Sequence, residues 1–161
     1  AILKWTDIIR SNENINLHLI GGLQSNKAKD AFKIFNYIHS LDSEKLARIF
    51  SDLEKNDTKK IKYFVQVNIG NETQKNGINV HLVSDFVQYC QKDLKLNILG
   101  LMCIPPVNVS PESYFLKLKK LNDDSYLKDL SMGMSDDFEI AIKSGSTFVR
   151  VGTSIFGKRS N

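Results

Sequence analysis

Two stretches near the C-terminal end combine glycines with hydroxyl side chains, and both contain or directly follow apolar, strand-like runs. Residues 131–137 read SMGMSDD and residues 146–157 read STFVRVGTSIFG. Glycine lets backbone N–H groups approach an anion closely, and serine or threonine hydroxyls add further donors. The candidate ligands of a phosphate group are Ser135, Gly152 and Thr153. The alternative, in which the serine only caps a helix and the Gly-Thr pair only forms a turn, fits the residue types equally well.

A single arginine lies within the last strand-like run. Arg150 stands between Val149 and Val151, and a guanidinium facing a barrel interior is costly to bury without an anionic or hydrogen-bonding partner. It would either contact a ligand beside the phosphate or form a structural ion pair with a carboxylate on a neighbouring strand. The residues leave both possibilities open.

The histidines and cysteines match no familiar catalytic or metal-binding motif. His18, His39 and His81 share no four-residue helical spacing and no cysteine or carboxylate joins them, so we interpret the first two as satisfied strand residues and the third as a surface residue. Cys90 and Cys103 lie in apolar stretches and are expected to be buried and reduced. The sequence contains no nucleophile elbow, dinucleotide-binding glycine motif or Walker loop.

Six short apolar runs are the candidate strands that position these residues. They are Leu17–Gly21, Tyr37–Leu41, Tyr63–Ile69, Ile98–Ile104, Leu130–Gly133 and Phe148–Gly152. Most are nearly continuous in apolar residues, which is typical of parallel strands covered by helices. The alternation of strands with helical patterns predicts an α/β fold, either an open doubly wound sheet or a (β/α) barrel.

Amphipathic stretches between the strands predict the helices. Asp42 is a candidate N-cap for a helix that begins at Ser43, and Val80 begins a second apolar stripe. A third helix opens at residues 110–112, with proline at its first position, and a fourth opens at Ser135 and ends at Gly145. The N-terminal residues around Lys4 also have a helical pattern. We find no linker, so residues 1–161 are predicted to form a single domain.

Composition narrows the classes of partner. The net charge is +4, but the basic residues are scattered lysines interleaved with acids, without the dense stripe typical of a nucleic-acid interface. No apolar run approaches the length of a membrane span, and the N-terminus lacks the pattern of a signal peptide. We therefore expect a cytoplasmic protein with no nucleic-acid or membrane partner.

Taken together, the motifs resemble the pyridoxal-phosphate homeostasis protein family, a stand-alone barrel related to the N-terminal domain of alanine racemase. The matches come in the family's order and cover almost the whole chain from Leu17 to Arg159. The matching segments are residues 19–21 (LIG) with 23–27 (LQSNK), 38–42 (IHSLD), 66–69 (QVNI), 100–102 (GLM) with 104–105 (IP), 130–138 (LSMGMSDDF), 145–147 (GST), and 149–153 (VRVGT) with 155–157 (IFG).

The resemblance implies a (β/α) barrel that binds pyridoxal 5′-phosphate at the carboxyl ends of its strands. It implies that the phosphate is held by Ser135, the backbone near Met134, Gly152 and Thr153. It also implies that Arg150 faces the pyridine nitrogen, keeps the ring unprotonated and damps the cofactor's electron-sink chemistry. The family lacks the second racemase domain with its opposing base, so we expect a non-catalytic, homeostatic binding protein.

Two departures from the family's pattern bear on function. The family has two further strands upstream, the first ending in the lysine that holds the cofactor covalently, and neither has a counterpart in this chain. Lys4 lies too close to His18 to take that role. The resemblance therefore implies about six of the eight βα units, without the covalent attachment, and a complete (β/α)₈ barrel does need at least about 200 residues. Gly22 stands where the family usually has a histidine.

Several alternatives follow from these departures. The chain could bind only free pyridoxal phosphate or a phosphate or sulfate ion, or it could be a truncated form with no activity of its own. Exposed barrel edges would favour a homo-oligomer. Lys75 could lie at the mouth of the site, or be a solvated loop residue. A different class is a fragment of an enzyme for a phosphorylated substrate, but the strand ends offer Asn68, Ser40 and Arg150 rather than a lysine or carboxylate.

Overall fold

A computed structural model describes residues 15–157 of the chain. It contains seven strands: β1 (His18–Leu19), β2 (Tyr37–Leu41), β3 (Lys62–Asn68), β4 (Ile78–Asn79), β5 (Asn97–Met102), β6 (Asp129–Met134) and β7 (Phe148–Arg150). The six predicted strands are all present. The second has the predicted bounds, whereas the first and last are two to three residues shorter than predicted. The two-residue β4 was not predicted, because two residues carry no periodicity.

The strands form one parallel sheet in the order β1-β2-β3-β5-β6-β7, with β4 paired to β3 outside this path. Each strand on the path is added on the same side as the one before it, so the order never reverses as it does in a doubly wound sheet. This progression confirms the predicted (β/α) barrel, which is incomplete over the described residues.

Helices alternate with the strands and cover one face of the sheet. The α-helices are α1 (Ala28–Ile34), α2 (Glu44–Lys55), α3 (Val83–Gln88), α4 (Glu112–Asp124), α5 (Phe138–Lys143) and α6 (Thr153–Phe156). Short 3₁₀ turns at Ser25–Lys27 and Val80–Leu82 lead into α1 and α3, and a π-helical turn at Tyr89–Asp93 follows α3. None of the helices in the described residues is both long and apolar enough to cross a membrane.

Alternation along β3 divides the interior into two layers. Tyr63 packs outward against Phe50 of α2, with ring centroids 5.3 Å apart. Phe64 points the other way, towards the barrel axis, where it stacks on His39 at 4.4 Å. The outer layer is the larger apolar core and stabilises the fold through burial, whereas the inner layer mixes aromatic and polar side chains.

Three predicted helix starts are corrected by the structure. Ser43, not Asp42, is the N-cap of α2, and its hydroxyl accepts from the Leu46 N–H at 3.4 Å. Pro111 is the residue before α4 rather than its first residue. The fourth helix begins at Phe138 instead of Ser135, because the segment between them forms a turn. The predicted helix around Lys4 lies outside the described residues.

Candidate functional site

Arg150, at the end of β7, is held by two neutral oxygen atoms. One guanidinium nitrogen donates to the Ser131 Oγ of β6 at 2.9 Å, and another donates to the Cys103 carbonyl oxygen beyond β5 at 2.9 Å. Over residues 15–157 no carboxylate oxygen lies within 4.0 Å of this guanidinium, so the structural ion pair considered from the sequence is wrong for this part of the chain. Burial lowers the pKa of Arg150, and Cys103 and Asp137 oppose that shift.

A line of hydrogen bonds continues from Arg150 across the barrel interior. The Ser131 hydroxyl lies 2.8 Å from His39 Nδ1, and His39 Nε2 lies 2.9 Å from His18 Nδ1. His39 is only 2% exposed. Desolvation lowers its pKa to about 3, with His18 and Arg150 acting in the same direction. We refer to Arg150, Ser131, His39 and His18 as the interior chain.

Aromatic rings enclose the two histidines. His18 stacks on Tyr37 with centroids 4.1 Å apart, and His39 stacks on Phe64. The Phe148 ring lies 6.0 Å from His39 and meets it edge-on. The prediction that both histidines are satisfied strand residues is confirmed. His18 is hydrogen-bonded to His39, and His39 is also hydrogen-bonded to Ser131.

Ser135 brings the two glycine- and hydroxyl-rich stretches together. Its Oγ accepts from the Gly152 N–H at 3.2 Å and from the Ser154 N–H at 3.4 Å. Ser135 does not cap the helix that follows it, which begins at Phe138, but its hydroxyl caps the first turn of α6. Two backbone donors at the start of α6 converge on one hydroxyl oxygen, which is the arrangement an anionic oxygen requires.

The backbone near Met134 is engaged differently. Its N–H donates to the Asp137 carboxylate at 2.6 Å, so this donor already has an anionic acceptor within the chain. Asp137 is also the N-cap residue of α5, which begins at Phe138. Gly133 has a φ of +94°, and a Cβ there would lie 2.5 Å from the Cβ of Ala141. The turn after β6 is thus fixed by close packing of α5 on the strand.

A pocket of about 340 Å³ opens at the ends of β5, β6 and β7. Arg150, Met134, Asp136 and Asp137 contribute its polar and backbone surface, and the proline-rich loop after β5 forms an apolar wall. No lysine from the described part of the chain lines it. Of the predicted site residues, Met134 and Arg150 line this pocket. The others, Ser135, Gly152 and Thr153, do not line it but follow Met134 and Arg150 closely in the sequence, and Ser135 is hydrogen-bonded to Gly152.

Lys75 lies at a neighbouring depression of about 290 Å³ beyond β3. Its Nζ is 2.7 Å from Glu72 Oε1 and 3.5 Å from the Pro105 carbonyl oxygen. Lys75 is therefore a partly exposed loop lysine paired with a nearby carboxylate, and it does not line the pocket beside Arg150.

The donors fit a phosphate group. The Gly152 and Ser154 N–H groups and the Ser135 hydroxyl share one location, and a Cβ built on Gly152 would meet nothing within 4 Å, so an anion could approach the backbone there. No cluster of three or more metal-ligating side chains occurs over residues 15–157. Both cysteines are free and buried, as predicted.

Sequence reasoning missed the interior chain. Its members are satisfied strand residues when taken one at a time, and only the register of the strands brings them together. The alternation of side chains along each strand could have identified inward-facing residues. Because Arg150 faces inward, Phe148, two residues earlier on the same strand, must face inward too. The same alternation on β6 and β2 places Ser131 and His39 opposite the apolar residues that pack on the helices.

The amino-acid sequence is similar to those of known proteins. The family model for the N-terminal domain of alanine racemase matches residues 7–160. A pyridoxal phosphate homeostasis protein of Aquifex aeolicus is 39% identical over 160 residues, covering 91% of this chain and 68% of that protein. A pyridoxal phosphate homeostasis protein of Pasteurella multocida is 36% identical over 160 residues, and the match covers 69% of that protein. The chain thus spans about two thirds of the length of these curated relatives.

Solved structures give the same result for the fold. PipY of Synechococcus elongatus superposes with a TM-score of 0.85 at 28% identity, covering 98% of this chain and 79% of that chain. The same protein with pyridoxal phosphate bound superposes with a TM-score of 0.82. An alanine racemase from Bartonella henselae has a TM-score of 0.72 at 15% identity, a likeness of fold alone.

Proposed function

The chain belongs to the pyridoxal phosphate homeostasis protein family, of alanine racemase N-terminal domain type, and on that premise we propose that it binds pyridoxal 5′-phosphate without catalysing a reaction. The observation that carries the proposal is the convergence of the Gly152 and Ser154 N–H groups on Ser135, at the same barrel end as Arg150. When bound, the cofactor supplies an aldehyde and an electron-withdrawing pyridine ring.

The phosphate end of the proposal rests on Ser135, Gly152 and Thr153. A phosphate oxygen would take the backbone donors that Ser135 Oγ now accepts, and the freed serine hydroxyl would then donate to the phosphate. Thr153 begins α6 and offers a further hydroxyl. Met134 is the weakest of the proposed ligands, because its N–H is already bound to Asp137.

The ring end rests on Arg150. A guanidinium remains charged and cannot accept a proton, so its contact with a pyridine nitrogen would leave that nitrogen unprotonated. An unprotonated ring withdraws electrons weakly, which suits storage and transfer of the cofactor better than chemistry on an amino acid. The neutral partners of Arg150 support this role, because no carboxylate within residues 15–157 competes for its charge.

Within residues 15–157 the proposed contacts with the cofactor are noncovalent. No lysine of the described residues lines the pocket beside Arg150, and Lys75 is paired with Glu72. We also propose a cytoplasmic location, since the two buried cysteines are unpaired, as expected in a reducing compartment.

The decisive experiment compares three ligands. Equilibrium dialysis should detect binding of pyridoxal 5′-phosphate, weaker binding of inorganic phosphate and little binding of pyridoxal, which lacks the phosphate group. Equal binding of pyridoxal and pyridoxal 5′-phosphate would contradict the phosphate site. Borohydride reduction followed by peptide mass spectrometry should label no single lysine efficiently; efficient labelling of Lys75 would contradict reversible binding. Turnover of a sugar phosphate would favour the enzyme-fragment alternative.

Self-association is a further part of the proposal. Within the described residues, β1 pairs only with β2 and β7 only with β6, and parallel strands with one unpaired edge favour pairing with another chain. Analytical ultracentrifugation should show a dimer or larger species, and a purely monomeric protein at micromolar concentration would contradict this expectation.

A further inference from the structure

We infer that His39 is a positioning residue for Arg150: acting through Ser131, it holds the guanidinium at the pocket in one orientation, and both His39 and its partner His18 are neutral with the proton on Nε2. The interior chain links four side chains from four strands across the barrel. Its three side-chain contacts measure 2.9, 2.8 and 2.9 Å. The consequence for a bound pyridine ring rests on the proposed function, whereas the orientation of the chain itself does not.

The direction of the hydrogen bonds follows from Arg150. A guanidinium only donates, so Ser131 Oγ accepts from it and the serine proton is free to donate to His39 Nδ1. With Nδ1 accepting, the neutral His39 carries its proton on Nε2 and donates to His18 Nδ1. His18 then carries its own proton on Nε2. One permanent donor therefore fixes the tautomer of both rings.

The opposite direction of these hydrogen bonds, from His18 towards Ser131, is disfavoured because Arg150 already donates to Ser131. If both rings carried a proton on Nδ1, whether neutral or cationic at His18, His18 Nδ1 would donate to His39 Nε2, and His39 Nδ1 would donate to Ser131. The Ser131 oxygen would then face two donors, and its own buried proton would have no acceptor among the hydrogen bonds of residues 15–157. The interior chain therefore has one favoured direction.

The groups that face the histidines add no negative charge. Tyr37 of β2, Phe64 of β3 and Phe148 of β7 supply rings, and the charged groups that act on the pair are the cations Lys62 and Arg150. A cationic histidine would have no carboxylate partner here among the described residues. Neutral rings held by stacking and hydrogen bonds are rigid supports, and a directed network of this kind orients the group at its end.

Two substitutions of His39 separate positioning from packing. In His39→Asn the amide oxygen occupies roughly the place of Nδ1, so Ser131 keeps an acceptor. In His39→Gln the amide reaches the place of Nε2, so His18 keeps a partner while Ser131 loses its acceptor. Both side chains are neutral and polar, and melting curves verify that both variants fold. A packing role would make their effects equal.

The readouts are histidine tautomers by ¹⁵N NMR and exchange of the Arg150 side-chain N–H groups, both measured without ligand at pH 7.5. We expect Nε2–H tautomers for both histidines, and about tenfold faster exchange in His39→Gln than in wild type or His39→Asn, since one hydrogen bond contributes about 1.4 kcal/mol. Pyridoxal 5′-phosphate affinity should follow the same order.

Three outcomes would overturn the inference: an Nδ1–H tautomer at His39, a doubly protonated histidine at pH 7.5, or equal exchange in the two variants. Failure of the wild-type protein to bind pyridoxal 5′-phosphate would instead overturn the proposed function. The tautomer and exchange results would still decide the inference, because they require no ligand.

Discussion

Two buried polar clusters lie on opposite faces of the same sheet, and they differ in where their hydrogen bonds end. On the helix side, Glu54 of α2 accepts from the Ile61 N–H at 3.0 Å and from the Tyr63 hydroxyl at 2.8 Å. Its second carboxylate oxygen lies 3.8 Å from Lys60. On the barrel side, the interior chain runs from His18 to Arg150 at the pocket.

This difference indicates a structural role for the Glu54 cluster and a ligand-binding role for the interior chain. Each partner of Glu54 belongs to the loop and strand that follow its own helix, so the cluster closes within one αβ unit and joins α2 to β3. The interior chain draws on four strands and ends on a guanidinium that lines a pocket. A closed cluster contributes stability, whereas an open one presents a charged group to a ligand.

The largest expected effect is on the closed cluster. Glu54→Ala leaves the Ile61 N–H and the Tyr63 hydroxyl buried without an acceptor, which should lower the free energy of unfolding by about 3 kcal/mol in urea titrations. Asp52→Ala, at an exposed position of the same helix, is the matched control and should change it by less than about 0.5 kcal/mol. An equal loss in both variants would mean that the buried contacts contribute nothing specific.

Arg150 should give the opposite pattern. Arg150→Met keeps the bulk of the side chain but removes its donors, so pyridoxal 5′-phosphate affinity should fall about thirtyfold, the equivalent of about 2 kcal/mol for hydrogen bonds from a charged group. Stability should change little, because the variant also removes a buried charge. Arg48→Met, on the exposed face of α2, is the control for binding. Loss of stability with unchanged affinity would make Arg150 a structural residue like Glu54.

The interior chain should also make stability depend on pH. His39 has a pKa of about 3 in the folded protein and 6.5 ordinarily, so below pH 6.5 the unfolded chain binds a proton that the folded protein does not. The stabilisation is therefore complete above pH 6.5 and is lost as the pH falls towards 3, by about 1.4 kcal/mol per pH unit. His18, whose pKa is lowered by desolvation and by Lys62, acts in the same direction.

Urea titrations between pH 4.5 and 8 test this expectation. His39→Phe and His39→Asn should both flatten the dependence by about 1.4 kcal/mol per pH unit relative to wild type. The comparison uses slopes, so a change in stability at pH 8 caused by altered packing does not affect it. Unchanged slopes in both variants would mean that His39 is not kept neutral by its enclosure.

The contrast between the clusters also explains what the sequence could predict. The apolar runs located β2 with its observed bounds, and the glycine and hydroxyl pattern located Ser135, Gly152 and Thr153 at one end of the barrel. These features depend on periodicity and on residue type within short stretches. The start of α5 was misplaced because Asp137, not Ser135, bonds the backbone of that turn.

Features that depend on distant residues were beyond the sequence patterns. His39 and Ser131 lie 92 positions apart in the sequence, and the residues around each give no indication that the two are in contact. The partners of Arg150 are a hydroxyl and a backbone carbonyl, where sequence reasoning considered a carboxylate. Hydrogen bonds of this kind are decided by strand register, which local periodicity does not encode.

The smallest expected effect concerns Ser135, which shares features of both clusters. Its hydroxyl closes on the Gly152 and Ser154 N–H groups within the protein, yet the same donors are proposed to bind a phosphate. Ser135→Ala should therefore weaken pyridoxal 5′-phosphate binding only about fivefold, or about 1 kcal/mol, since the phosphate can still accept from the backbone. Stability should fall by a similar amount, and Ser113→Ala, at an exposed position of α4, should change neither quantity. If Ser135→Ala bound the cofactor as tightly as wild type while losing stability, Ser135 would have a structural role like that of Glu54. The backbone N–H groups alone would then form the phosphate site.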